Sequence, residues 1–431
     1  MNYVKNFFSL RGNKGIWAIF FLLCVISMVE VFSSSIALAE TQGIHWMPII
    51  KHFLLLIAGA FIVIVIHHIP YQWYSLGLAL VPISFILLVG VMLWGEEHGN
   101  AARFIRLGSF QFQPSELAKL SIIVSSAFLL GKMQDTKESK SNTFKVLMFG
   151  ITLLCALIFF DNFSTAALLF SVSMIMMIIG KIPILKIGKV LLPIIALVAL
   201  MYFAAPLFDD DSEKISERPP NTEQVESSIK ESFKRNRIVT WRSRVDRFID
   251  NVIHDKNPAD FMEDDKNLQA GYARIAIARG GFSPKLPGNS HVRVFLPEAN
   301  SDFIYAVIIE ELGVAGGLLV IILYVALLIR CGRLVRKCQN RFPAFLLIGC
   351  ALIIFCQALI HILVCVHLMP VTGQPLPLIS KGGTSIFITC VYFGIMLSIS
   401  QTVIPSEVEK DEEFATESEL LPEFAVDEEM M

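Results

Sequence analysis

Long apolar runs are the feature that most constrains what this chain can fold into. Runs of about 17–25 residues recur along the sequence, and each is long enough for a helix to cross a bilayer core of roughly 30 Å. Across 431 residues, 54% are apolar and 17% are charged, which argues against a disordered chain or a typical soluble domain. The net charge of -2 gives no indication of nucleic-acid binding.

These runs predict an all-α polytopic membrane protein. We expect ten transmembrane helices, with one large extracytoplasmic loop between helices 7 and 8. A β-barrel would instead show alternating segments of ~10 residues. The predicted spans are residues 16–39, 48–66, 74–94, 117–131, 146–160, 164–180, 187–205, 303–329, 343–366 and 384–402.

The basic residues predict the orientation. They cluster on the side that holds both termini, whereas the short loops of the other side contain only Lys51, Arg103, Arg106 and Lys381. The positive-inside rule therefore predicts cytoplasmic termini. The expected regions are a cytoplasmic N-terminus at 1–15, helices 1–7 within 16–205, an extracytoplasmic loop at 206–301, helices 8–10 within 302–402 and an acidic cytoplasmic tail at 403–431.

Polar residues concentrate on the predicted outer face, first at the start of span four. Pro114 suits a first helical position, because its preset φ costs no hydrogen bond there. Glu116 then falls in the first turn, which favours an anion, and Lys119 follows on the same face. This pattern fits either a local ion pair at a helix start or a charged pair that lines a polar cavity, together with Arg106 from the preceding loop.

A second polar group begins at Asp302, where the long outer loop ends. Asn300 or Ser301 could cap the next helix, and Asp302 would then stand at the start of span eight. Asp302 either caps that helix or faces a cleft as a partly desolvated carboxylate, which would suit a general base. Glu310 and Glu311 lie about 12 Å deeper, and we expect them to form buried hydrogen bonds with neighbouring helices.

The third polar group is the last outer loop, residues 369–385. Its prolines exclude a continuous helix, so its backbone must be buried in protein or line a wet cavity. Ser380 and Lys381 precede Gly382, Gly383 and Thr384, which would open the next helix. Free N–H groups at such a helix start form an anion site, so the sequence predicts phosphate binding here.

These segments resemble the SEDS family, the FtsW/RodA membrane proteins of bacterial cell-wall synthesis. The resemblance covers about 15–402, and its division branch fits better, partly through VFSSS at 31–35. The matching motifs are QPSELAK at 113–119, the segment from Gln269 to Ser290 with its glycine pair, LPEANSDFI at 296–304, EELG at 310–313, PVTG at 370–373, PLPLIS at 375–380 and GG at 382–383.

The resemblance implies a peptidoglycan glycosyltransferase of the cytoplasmic membrane that polymerises lipid II at the division septum. It implies Asp302 as the catalytic residue and a functional pair at Glu116 and Lys119. Substrate-binding residues would be Glu116, Lys119, Arg106, Ser380, Lys381, Gly382, Gly383 and Thr384. No cofactor is certain, although a divalent cation, magnesium or manganese, is possible. The expected partners are a class B penicillin-binding transpeptidase, other division proteins and membrane lipids.

Other readings of the same residues stay open at this point. A lipid II flippase would need a polar path to both faces, but the unusual residues cluster on the outer face. A scaffold that only recruits a transpeptidase would leave Asp302 and Lys119 without a role. An elongation-specific polymerase of the RodA type is a further alternative.

Overall fold

The computed structural model describes residues 11–42, 47–94, 96–98, 101–107, 110–135, 140–204, 241–250, 268–282, 284–296 and 299–403. The first residues, the acidic tail after 403 and much of the large loop lie outside these ranges. So do the side chains of Arg103 and Arg106.

Helices dominate the described residues. The first seven longer elements are α1 (Lys14–Gln42), α2 (Met47–His67), a 3₁₀ helix (Tyr71–Ala79) that continues into α3 (Leu80–Trp94), α4 (Pro114–Asp135), α5 (Lys140–Asp161), α6 (Phe163–Ile179) and α7 (Ile184–Ala204). The large loop contributes α8 (241–250), α9 (Leu268–Gly280) and a short 3₁₀ helix (Val292–Val294). The last three helices are α10 (Ile304–Val335), α11 (Arg341–Cys365) and α12 (Gly383–Val403).

Each predicted span coincides with a helix, so the predicted all-α membrane fold is confirmed. Eight helical segments of the described chain are long and apolar enough to cross a membrane. The segment Phe163–Ile179 is apolar but shorter, and Pro114–Asp135 is not among the eight. The total of ten spans therefore stays a prediction.

The interior of the bundle is formed around α11 and α12. α11 packs against α4, α6 and α10, while α12 packs against α2. Most residues of α11 and α12 are buried because neighbouring helices cover them on several sides. α7 is the opposite case, since Ile187 is its one buried residue within the described part of the chain.

The connection before α4 contains a small sheet that the sequence analysis did not predict. Strands β1 (Glu96–His98), β2 (Ala101–Leu107) and β3 (Phe110–Phe112) pair antiparallel in the order β1-β2-β3. Alternation of apolar and polar residues over so few positions is only a weak indication of a strand, which is why the sheet was not predicted. β3 packs against α12, so the sheet lies beside the last outer loop.

Candidate active site

Asp302 lies where the end of the large loop meets the last outer loop. The Ser380 hydroxyl donates to Ser301 O at 2.7 Å, and Lys381 N donates to Asn300 O at 2.9 Å. Ser301 Oγ donates to Asp302 Oδ1 at 3.2 Å. These bonds hold the Asp302 carboxylate, which is only partly exposed, against an ordered backbone.

The expected helix cap at this position is wrong. α10 begins at Ile304 and its N-cap residue is Phe303, which provides no side-chain cap. Asp302 therefore precedes the helix rather than standing in its first turn. The chain turns over residues 301–303, Phe303 and Ile304 are fully buried, and Asp302 stays beside the last outer loop.

Gly373 provides one wall of the Asp302 site. Its φ of +66° favours glycine, and a Cβ placed there would lie 3.4 Å from Asp302 Oδ2. The nearby Thr372 hydroxyl is buried and has no hydrogen-bond partner among the described residues. A small residue at 373 therefore keeps the space in front of the carboxylate open.

Arg244 of α8 is a charged neighbour that the sequence analysis missed. Its Nη1 donates to Val371 O at 3.4 Å, in the last outer loop. Burial lowers the pKa of the Arg244 guanidinium, as does the charge of Arg247, whereas the charge of Asp302 raises that pKa. An arginine and the candidate base thus interact across the site.

An aromatic group holds α8 in this place. The Trp241 ring lies 4.4 Å from that of Phe163 and 5.8 Å from that of Tyr202. Tyr202 also bonds to Asp246, and Arg242 stacks over the Tyr202 ring at 5.4 Å. A tryptophan beside arginines in a polar loop was the one available sequence signal, and it does not by itself predict proximity to Asp302.

The predicted pair of Glu116 and Lys119 is present and buried. α4 begins at Pro114 as expected, and Lys119 Nζ lies 2.7 Å from Glu116 Oε1. Lys119 is only 1% exposed and also donates to Gln357 Oε1 at 3.0 Å. The ammonium therefore already has two protein partners, as a buried charge requires.

Gln357 links this ion pair to the last outer loop. Its Nε2 donates to Pro375 O at 2.9 Å. One turn further along α11, His361 Nδ1 donates to Gln374 O at 2.7 Å, and Gln374 Nε2 donates to Thr165 Oγ1 at 2.6 Å. Two side chains of α11 thus satisfy carbonyl groups of the irregular backbone, and Thr165 of α6 holds the Gln374 side chain, which explains how this segment can lie inside the bundle.

The predicted anion site adjoins the same loop. α12 begins at Gly383, and Thr384 and Ser385 are buried in its first turn. Ser380 is buried and accepts from Leu376 N at 2.7 Å, whereas Lys381 is exposed. Arg106 lies in β2 opposite Gln111 of β3, beside α12, but its side chain is outside the described residues.

A second buried polar cluster joins α1, α10 and the large loop. Glu311 accepts from Ser33 Oγ at 2.5 Å and from Arg293 Nη1 at 3.2 Å. Glu310 accepts from the Ser290 hydroxyl and from His291 N at 3.2 Å. The expectation of buried hydrogen bonds is therefore confirmed for both glutamates, but a neighbouring helix supplies the partner only for Glu311, through Ser33, whereas Glu310 bonds to the large loop. The sequence analysis did not identify their partners.

Glu30 of α1 lies beside this cluster and is fully buried. It interacts electrostatically with Glu311 and Arg293, and no described residue donates a hydrogen bond to either of its carboxylate oxygens. Among the described residues, no group of three or more His, Cys, Asp or Glu side chains could hold a metal ion. The possible divalent cation therefore rests on the resemblance alone.

Comparisons with known proteins agree with this architecture. A protein of Bacillus subtilis strain 168 called probable peptidoglycan glycosyltransferase FtsW is 28% identical over 402 residues, covering 91% of both chains. A Hahella chejuensis protein of the same name is 27% identical over 401 residues, covering 90% of both.

Solved structures show the same fold. Thermus thermophilus rod shape determining protein RodA matches with a TM-score of 0.58 and 19% identity, covering 92% of this chain and 98% of RodA. A chain from a peptidoglycan synthase complex matches with a TM-score of 0.64 and 19% identity, covering 92% of this chain and 99% of its own length. The sequence profile of the FtsW/RodA/SpoVE cell cycle proteins matches residues 13–403. The chain therefore belongs to the FtsW/RodA/SpoVE family of cell cycle proteins.

Proposed function

We propose that this protein is a peptidoglycan glycosyltransferase that uses lipid II as donor and acceptor at the outer face of the cytoplasmic membrane. The relatives named above support the activity. The observation that carries the proposal is the Asp302 site, where the large loop, the last outer loop and Arg244 converge around one carboxylate. Helices on several sides hold these loops in place, and catalysis requires reacting groups that are held in a fixed geometry.

In the proposed reaction, a sugar hydroxyl of the acceptor attacks the anomeric carbon of the donor. Asp302 accepts the hydroxyl proton as the new glycosidic bond forms. The bond from the anomeric carbon to the pyrophosphate oxygen breaks, and the lipid pyrophosphate leaves with its electron pair. This transfer needs one base and a stabilised leaving group. It does not need the paired carboxylates that a glycoside hydrolase uses.

The leaving pyrophosphate needs positive charge or N–H donors. Arg244, the exposed Lys381 and the first turn of α12 are the candidates nearest to the Asp302 loops in the described chain. Positive groups fixed in place before the reaction stabilise developing charge more effectively than water does. Arg106 and residues 380–384 stay in the proposed binding set for this reason.

Glu116 and Lys119 have a different proposed role in this conformation. Because Lys119 is buried between Glu116 and Gln357, the pair acts on the site through the Pro375 backbone. We therefore assign both residues to positioning of the last outer loop. Direct contact of Lys119 with lipid II would require its two protein partners to separate.

A role in septal synthesis, with a class B penicillin-binding transpeptidase and other division proteins, completes the proposal. The FtsW names of the relatives support the division role, and the structural similarity to a chain of a peptidoglycan synthase complex supports a partner. Cytoplasmic termini follow from the basic residues of the short loops.

The decisive experiment uses purified protein in vesicles with labelled lipid II. Glycan strands support a polymerase, whereas translocation without polymer would support a flippase. Asp302→Asn keeps the size of the side chain but cannot accept the proton, so we expect a rate loss of about 10²–10⁴-fold. Asp250→Asn, an exposed aspartate of the same large loop, is the matched control and should keep wild-type polymerisation. Polymerisation near the wild-type rate by folded Asp302→Asn protein would refute the assignment.

A further inference from the structure

α10 is interrupted at Gly313, and the large loop fills the break. Gly313 has φ 71° and ψ -176°, which no helical residue adopts. Val314 N donates to Gly281 O at 3.0 Å, and Lys285 N donates to Glu311 O at 2.8 Å. Gly281 and Lys285 therefore supply backbone partners that the broken helix has lost.

The surroundings of α10 change at the same residue. Every residue from Ile304 to Glu311 is buried, whereas an exposed apolar stripe begins directly after Gly313. The stripe consists of Val314, Leu318, Leu319, Ile322, Val325 and Ile329. At ~1.5 Å per residue, the stripe from Val314 to Ile329 covers about 24 Å, most of a hydrocarbon core of roughly 30 Å, and the exposed Arg330 follows at its inner end. The outer boundary of that core thus falls near Gly313.

The segment at this level exposes large apolar side chains. Phe282 is 91% exposed and Leu286 is 65% exposed. The Arg279 side chain is 48% exposed next to them. Aromatic residues with neighbouring basic residues are typical of membrane–water interfaces, where the basic groups reach the lipid phosphates.

We propose that Phe282 and Leu286 form a membrane anchor by inserting into the interface of the outer leaflet. The occupant of this surface is phospholipid, because the surface continues the lipid-facing stripe of α10. Along the axis of α10, the break lies about 14 Å below Ile304. The anchor therefore sets the height of the Asp302 loops above the hydrocarbon core. The inference does not depend on the proposed reaction.

Leu368 provides a matched control outside the large loop. It is 66% exposed and follows the last residue of α11, Cys365, by three residues. Cys365 Sγ lies 3.8 Å from Asp302 O. Leu368 therefore lies at the level of the Asp302 loops, about 14 Å from the break along the axis of α10.

The test replaces Phe282, Leu286 or Leu368 in turn with a photo-crosslinking phenylalanine analogue. Each purified full-length protein is reconstituted alone in vesicles of phosphatidylethanolamine and phosphatidylglycerol, irradiated and analysed by intact mass. We expect phospholipid adducts at 282 and 286 and none at 368. Because all three side chains are exposed, the replacements should leave folding intact, which monodisperse elution checks.

Two results would overturn the proposal. One is the absence of lipid adducts at both 282 and 286 in folded protein. The other is an equal adduct yield at 368, since exposure alone would then explain the labelling.

Discussion

Two buried ion pairs support the candidate site, and they are built differently. Glu116 and Lys119 lie three residues apart in α4, and their pair reaches the last outer loop through Gln357. Glu311 of α10 pairs with Arg293 of the large loop, and the Ser33 hydroxyl of α1 completes that contact. The first pair is local along the chain, whereas the second joins three distant segments.

The difference shows how each pair restrains the residues around Asp302. The local pair needs only the helical spacing of α4, so it can form before the last outer loop packs against it. The Arg293 pair exists only when the large loop has docked on α1 and α10. Arg293 also donates to the Ser33 carbonyl of α1. A further bond at 3.0 Å to Gly288 O joins two parts of the large loop. We expect the non-local pair to contribute more to the ordering of the site.

The largest effect should follow from Arg293→Gln. This change leaves Glu311 fully buried without its cation and next to Glu30, and a broken buried pair typically costs about 3–5 kcal/mol of unfolding free energy. Thermal unfolding in detergent measures the loss. Arg279→Gln is the matched control, because Arg279 is half exposed and lies 4.0 Å from Glu310. Equal destabilisation by both changes would contradict the assigned difference.

A double variant sharpens this result. In Arg293→Gln with Glu311→Gln, no carboxylate of the pair is stranded, so the double change should cost less than the sum of the single changes. Coupling between contacting residues is typically about 0.5–3 kcal/mol. Strict additivity would mean that the two side chains do not act as a pair.

The next largest effect is expected for Lys119→Met. The stranded Glu116 lies in the first turn of α4, where the helix dipole partly stabilises its charge, so the loss should fall near the lower end of ~3–5 kcal/mol. Polymerisation should also fall further than in Lys381→Ala, because Lys381 is exposed and has no comparable structural role. Initial rates across a range of lipid II concentrations compare the two variants. If Lys381→Ala reduced the polymerisation rate at least as much as Lys119→Met, the exposed Lys381 would be the more important cation for the reaction.

The smallest effect is expected for Gln357→Leu. This change removes one donor to Pro375 O and one acceptor for Lys119, and a buried polar group left unsatisfied costs about 1–3 kcal/mol. If Gln357 transmits the position of the ion pair, polymerisation should fall while α4 stays intact. Ser125→Ala, which removes a hydroxyl bonded only within α4, provides a control for small changes in the bundle interior. Wild-type polymerisation by Gln357→Leu would show that the loop does not depend on this link.

Sequence patterns alone predict the membrane fold, the positions of the long helices and the local pair of Glu116 and Lys119. These features depend on continuous hydrophobicity and on helical spacing, both of which act over neighbouring residues. The start of α4 at Pro114 was also predictable from local sequence, because proline fixes its own φ. Polar residues in an apolar context also identified Asp302 as a position of interest.

The structure was needed to show which residues meet there. Arg244, Gln357 and Arg293 gave no local signal, since their partners lie 18 or more residues away along the chain. The break at Gly313 was also hidden, because a glycine inside an apolar helix does not by itself end that helix, and the missing bonds are made by a loop some thirty residues earlier. Side-chain and backbone partners of this kind depend on how helices and loops dock, and hydrophobic periodicity carries no information about that docking.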